Sequence, residues 1–265
     1  VNIQELTDQF NQITIDQQNA AANIDIDFSD TDVIDINGGA TVVLNDVNTS
    51  AGAENFTYTL SAAGTSLDIV SLNTGTADAN ITAQAAITDS GTIIANSLTV
   101  KTLNDAGAAI TLNTSTNDVN ILDISSRDSL DNNNAAGSLT FVDTDDLTLA
   151  NVATTGTFSL NAGGNVTQTG AVTAGTLVAT LSAGSLNLNT VSNTITNLGG
   201  ITAPAGFSLN NGNNPVTLAA GINTSGSDGD IVITTGTGGI DTNDQTVNAG
   251  SGDITFTSDA IDLGT

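Results

Sequence analysis

The chain has no cysteine, histidine, methionine or tryptophan, two prolines, and only two basic residues, Lys101 and Arg127. Each absence removes a class of chemistry. Without histidine or cysteine there is no imidazole base, no thiolate nucleophile and no soft metal ligand. Two cations cannot build a phosphate-binding surface, so no nucleic-acid partner is expected. Against them stand 28 acidic residues, a net charge of −26 over 265 residues. An anionic membrane surface would repel such a chain. No apolar run approaches the roughly 20 residues of a membrane span, so membrane insertion is not expected either. The lack of cysteine also removes any disulfide framework, leaving repetition to supply stability.

High net charge and 3% aromatic residues would ordinarily signal disorder. The rest of the composition argues otherwise: 38% of residues are hydrophobic and only 11% charged. The polar balance is carried by Asn, Thr, Ser and Gly, while Val, Ile, Leu and Ala sit in alternating runs. That is strand chemistry with turn chemistry between the strands. There is no initiator methionine, basic n-region or signal-type apolar stretch, so Val1 is expected to open a processed or excised fragment.

An apolar-x-apolar pair closely preceded by glycine recurs at Leu139/Phe141, Phe158/Leu160, Leu186/Leu188, Phe207/Leu209, Ile231/Ile233 and Ile254/Phe256. Successive first members lie 19, 28, 21, 24 and 23 residues apart, a solenoid period. A second column is read at Val166, Ile195, Val216, Ile240 and Ile261, and a third at Val172, Ile201, Ile222 and Val247. Gly/Asn-rich corners such as Ala162-Gly163-Gly164-Asn165 separate them. Three apolar stations per repeat predict an all-β, three-sided parallel β-helix of about 23 residues per coil, each coil giving one strand to each side. Residues 136–265 carry the regular coils. Residues 23–135 alternate less evenly, through Ile24–Phe28, Ile34/Ile36, Val42/Leu44, Phe56/Tyr58/Leu60, Leu67/Ile69, Leu98/Val100, Ile110/Leu112 and Val119/Ile121. Residues 1–22 differ: Ile3, Leu6, Phe10 and Ile13 have helical spacing among Gln, Asn and Asp, as in a capping helix or a Gln-rich extended arm.

The string Thr157-Phe158-Ser159-Leu160-Asn161-Ala162-Gly163-Gly164-Asn165-Val166-Thr167-Gln168-Thr169-Gly170 resembles the repeats of filamentous-haemagglutinin-type exoproteins. Gly184–Thr190 and Ile201–Phe207 have the same character. The resemblance covers about residues 136–265 and implies the shaft of a bacterial surface adhesin of the two-partner-secretion kind, or a related filament or surface-layer protein. The Asn-Pro-Asn-Gly-type motif of that family's secretion domain is absent. The resemblance implies a right-handed coil, in keeping with the preference of parallel crossovers.

Carboxylates are the one catalytic resource in quantity, in the groups Asp25/Asp27/Asp30/Asp32/Asp35, Asp143/Asp145/Asp146 and Asp228/Asp230. A glycoside hydrolase needs two carboxyls flanking a sugar, but also cations and aromatic platforms, which are scarce here. No catalytic residue is assigned and no cofactor is required. Calcium is a better match for aspartates at turns, since it takes six to eight hard oxygen ligands. Asp30, Asp32, Asp35, Asp228 and Asp230 are the candidate ligands, although no EF-hand or nonapeptide calcium pattern appears. Solvated, outward-facing aspartates on strands and corners are the simpler account of any one of these groups.

The expected function is a non-catalytic structural or adhesive rod, extracellular or on a bacterial surface, forming part of a stalk, fibre or coat. Its expected partners are further copies stacked along the rod axis, since strand pattern persists to the carboxyl end, and glycans or proteins of a host or neighbouring cell. The alternative is a polysaccharide-active β-helix enzyme of tail-spike or lyase type.

Overall fold

The computed structural model describes residues 24–28, 41–44, 47–50, 55–61 and 63–264. The cap or arm expected over residues 1–22 and the pair Ile34/Ile36 lie outside the described residues. Every regular element described is a strand, and all strand pairs are parallel; an isolated antiparallel bridge joins Arg127 and Asn134. The chain is a β-solenoid of about ten coils of roughly 22 residues. At a strand spacing near 4.8 Å, ten coils span roughly 45–50 Å.

The three sides are plainest near the start. Thr41–Leu44, Val47–Asn48 and Phe56–Leu60 pair one coil on with Ser66–Ile69, Leu72–Asn73 and Asp78–Ala83. Those pair in turn with Ile87–Asp89 and with the first and second parts of Ile93–Leu103. One side runs in register through Val42, Leu67, Ile87, Ile110, Leu139, Phe158, Leu177, Leu198 and Leu218. All nine are buried, so the alternation of the sequence becomes a continuous core column. Full burial of each such side chain is worth about 1.5–3 kcal/mol, and only stacking on both neighbours achieves it. In Phe56–Leu60 the alternation places Phe56, Tyr58 and Leu60 inward, and the Phe56 and Tyr58 rings are parallel to within 5° at 6.5 Å.

Register differs from the sequence reading in several places. Val166, read in a column with Ile195, stacks on Leu186, and Val172, read with Ile201, stacks on Val152; Ile195 and Ile201 pair instead with Ala174 and Ala179. Leu139 and Phe158 do not stack on Leu186 but on Leu177. Leu186, Phe207, Ile231 and Ile254 belong to another side, continuing from Leu147 and Val166. The strand holding Leu177 has Ala179 as its second inward residue, too small to stand out as an apolar pair. Likewise Val119 and Ile121 do not share a face. The strand Asp118–Arg127 turns at Asn120, so that Leu122 and Ile124 point inward and Ile121 stays half-buried outside.

The corners explain the abundance of asparagine and glycine. Side-chain oxygens of Asn48, Asn73, Asn104, Asn210, Asn223 and Asn248 accept hydrogen bonds from the backbone N–H two residues on, closing Asx turns at strand ends. After Asn73, Asn210 and Asn248 the receiving residue is a glycine at positive φ, a conformation that costs other residues energy. Gly170 is required by close packing: a Cβ there would lie 1.7 Å from the Ala150 carbonyl oxygen of the coil below.

Candidate functional site

Polar side chains are buried at two corners of the solenoid, Asn117 and Asp143 after the side that carries Ile110 and Leu139, and Gln168, Asn193 and Asn211 after the side that carries Val166, Leu186 and Phe207. Asn117, Asp143, Gln168, Asn193 and Asn211 are each less than 5% exposed. The oxygens of Asn117, Asp143, Asn193 and Asn211 satisfy backbone N–H groups at the start of strand segments in the preceding coil. Ile93 N donates to Asn117 Oδ1 at 2.9 Å, Val119 N to Asp143 Oδ1 at 3.0 Å, Val172 N to Asn193 Oδ1 at 2.8 Å, and Ile195 N to Asn211 Oδ1 at 2.9 Å. Backbone donors turning a buried corner need such partners.

The amides complete the corners with their nitrogens. Asn117 Nδ2 donates to Asp89 Oδ2 at 2.7 Å. Asn193 Nδ2 donates to Gln168 Oε1 at 3.1 Å, to Leu188 O at 2.8 Å and to Asn210 O at 3.0 Å. Asn211 Nδ2 reaches Ile195 O at 2.9 Å. Asp143 occupies the same kind of position with a carboxylate, and its Oδ2 accepts from Asp145 N at 3.3 Å. Burial pushes its carboxyl up to about 7, against the opposing effect of the Val119 and Asp145 N–H groups. Sequence inspection grouped Asp143 with Asp145 and Asp146; only the fold separates the buried one from its exposed neighbours.

A second feature interrupts the coils. Between Ile110 and Leu139 the register step is long, and the surplus chain forms a loop after Arg127. Asp128 organises it, accepting from Asn132 N at 2.7 Å and Asn133 N at 3.1 Å. Asp131 takes both cations of the chain, Lys101 Nζ at 2.7 Å and Arg127 Nε at 3.0 Å. They hold its carboxyl below the usual range, led by the Lys101 hydrogen bond. Leu130, at the tip, is 77% exposed.

Of the candidate calcium ligands, Asp30, Asp32 and Asp35 lie outside the described residues. Asp228 and Asp230 are exposed and each accepts a backbone N–H from the next coil, Ser251 N at 2.9 Å and Asp253 N at 2.8 Å. The Ser251 N–H is the main cause that holds Asp228 below its ordinary range. Asp228 is also at φ 54°. Among the described residues, no three acidic side chains converge as a metal cluster. Asp241 and Asp262 lie side by side on adjacent coils, along a shallow groove with Val216, Ile240 and Ile261. Each accepts the backbone N–H two residues on, from Asn243 and Gly264, so both serve turns.

Comparison with known protein families, curated proteins and solved structures finds no match for the chain.

Proposed function

We propose that this chain is a non-catalytic rod segment of an extracellular or bacterial-surface protein, acting as part of a stalk, fibre or coat. The observation that carries this reading is the unbroken stack of inward side chains from Val42 to Leu218 beneath a polar exterior. Such a body resists bending because each coil is bonded to both neighbours along three sides. Many of its polar groups hold coils together, the corner amides inside and Asp228 and Asp230 at the surface, while the Asx turns close the corners within each coil. The filamentous-haemagglutinin-like repeats point to the same use, and a net charge of −26 suits a solvated surface element.

End-to-end association is part of the proposal. In the last described coil Ile254 is 48% exposed, Ile261 43% and Leu263 66%, although Ile254 and Ile261 continue core columns. A further coil, from the same chain or another copy, would bury them. Stacking of copies is head-to-tail and open, so it yields filaments. Negative-stain images and sedimentation across a concentration series test both parts. The expected result is short rods that lengthen with concentration. Compact particles would refute the rod, and rods of constant length would refute the stacking.

A further inference from the structure

We propose that Asp143 is a pH sensor built into the solenoid: a carboxyl group buried at the corner where Asn117 stands one coil earlier, whose ionisation loosens the corner joining Asn117–Val119 to Asp143–Asp145. The argument begins with geometry. Asn117, Asn193 and Asn211 each accept a strand-opening N–H and donate their amide protons to oxygens around them. A carboxylate can accept but cannot donate. Ionised, Asp143 is a buried anion supported by two N–H groups.

No cation offsets that charge, because Lys101 and Arg127 are both held by Asp131. The charged groups around Asp143 are all anionic. Asp118, on the strand before it, and Asp145, just beyond it, both disfavour its ionisation. Asp89 stands beyond Asn117 in the preceding coils. The strand above, Thr157–Ala162, and the following residues through Gln168 carry no charge.

The sequence isolates the effect. With no histidine and no cysteine, the ordinary side-chain titrations between pH 5 and 8 are missing. The other shifted carboxyls, Asp105, Asp128, Asp131 and Asp228, are all lowered. They contribute stability that is lost as pH falls below the ordinary aspartate range. Asp143 has the opposite sign: its folded value, about 7, lies above its ordinary 3.8. Its contribution is complete below pH 3.8, declines as pH rises toward 7, and is gone above it. Over that window the unfolding constant rises by up to about tenfold per pH unit.

The test compares wild type, Asp143→Asn and Asp145→Asn by urea unfolding from pH 4.5 to 8.5. The wild-type midpoint should fall with pH and level off above neutrality. Asp143→Asn should remove most of that slope, while Asp145→Asn keeps it. Amide exchange of Val119 and Asp145 should accelerate with pH, beyond the intrinsic rate, in wild type alone. In parallel, the Asp143 carboxyl carbon of wild type is titrated by NMR, which needs no variant to fold. A midpoint near neutrality supports the proposal. An ordinary aspartate midpoint, or equal slopes in wild type and Asp143→Asn, overturns it.

Discussion

Asn193 offers the sharpest test of whether the corner stack stabilises this fold. Its side chain is 1% exposed. Its Oδ1 accepts from Val172 N at 2.8 Å and Gln168 Nε2 at 2.9 Å, and its Nδ2 donates to oxygens of Gln168, Leu188 and Asn210. Replacement by alanine strands the Val172 N–H and half of the Gln168 amide. Gln168 Nε2 keeps its bond to Gly170 O at 2.8 Å, so it is not left wholly bare. Each buried unsatisfied group costs about 1–3 kcal/mol, and water entering the vacated space offsets part. Asn193→Ala should therefore destabilise by about 3 kcal/mol. Asn193→Leu should do no better, because filling the volume does not restore the acceptor. Asn161, exposed one coil earlier, is the control, and its alanine variant should stay within about 0.5 kcal/mol of wild type. Urea unfolding at one pH gives the difference, and faster amide exchange at Val172 locates it. If Asn193→Ala and Asn161→Ala unfold at the same urea concentration, the corner stack is not a source of stability.

Three further outcomes are expected. Phe158, buried between Leu139 and Leu177, should cost about 3–5 kcal/mol on truncation to alanine in the same assay. Ser126 is fully buried and its Oγ has no hydrogen-bond partner; Ser126→Ala should be neutral or stabilising, and a loss above about 1 kcal/mol would show an unrecognised partner. Calcium should raise the melting temperature more than an ionic-strength-matched monovalent salt, and Asp228→Asn should reduce that excess if Asp228 is a ligand; identical melting curves in calcium and in chelator would discard specific calcium sites.

The fold was legible because its two signals are local. Alternation such as Phe158-Ser159-Leu160-Asn161 assigns the strand faces, and Gly/Asn corners mark the bends. Which strand lies on which was less legible. The spacing of 28 residues from Phe158 to Leu186 hid the intervening Leu177, whose strand shows alanine where its neighbours show leucine or phenylalanine. The corner stack was hidden for a different reason. An asparagine closing an Asx turn at the surface and one buried against the next coil occur in the same turn-rich context. A signal did exist: Asn117 and Asp143 at one corner, and Gln168 and Asn193 at the next, are each spaced at about one coil, shortly after a strand and before an apolar residue. A polar residue repeating at the period of the core has to face either a stacked surface row or a stacked interior one.

The composition of the row Asp89, Asn117 and Asp143 follows from electrostatics, and Asn117→Asp tests the argument. Along the stack, Asp89 and Asp143 are separated by Asn117, whose Nδ2 donates to Asp89. Carboxylates on adjacent coils would stand about 4.8 Å apart and repel by about 3–4 kcal/mol at an effective dielectric constant of 20. An unbroken column of buried aspartates is therefore untenable at neutral pH in a chain with only two cations, whereas an amide between two aspartates supplies a donor and an acceptor without charge. Asn117→Asp would delete the donor to Asp89 and place three carboxyls in succession. The variant should be strongly destabilised at pH 8, recover in mild acid as the row takes up protons, and be partly rescued at pH 8 by adding Asp143→Asn. Comparable stability of Asn117→Asp and wild type at pH 8 would mean that solvent reaches the corner freely, and that the amide between Asp89 and Asp143 is not there to keep charges apart.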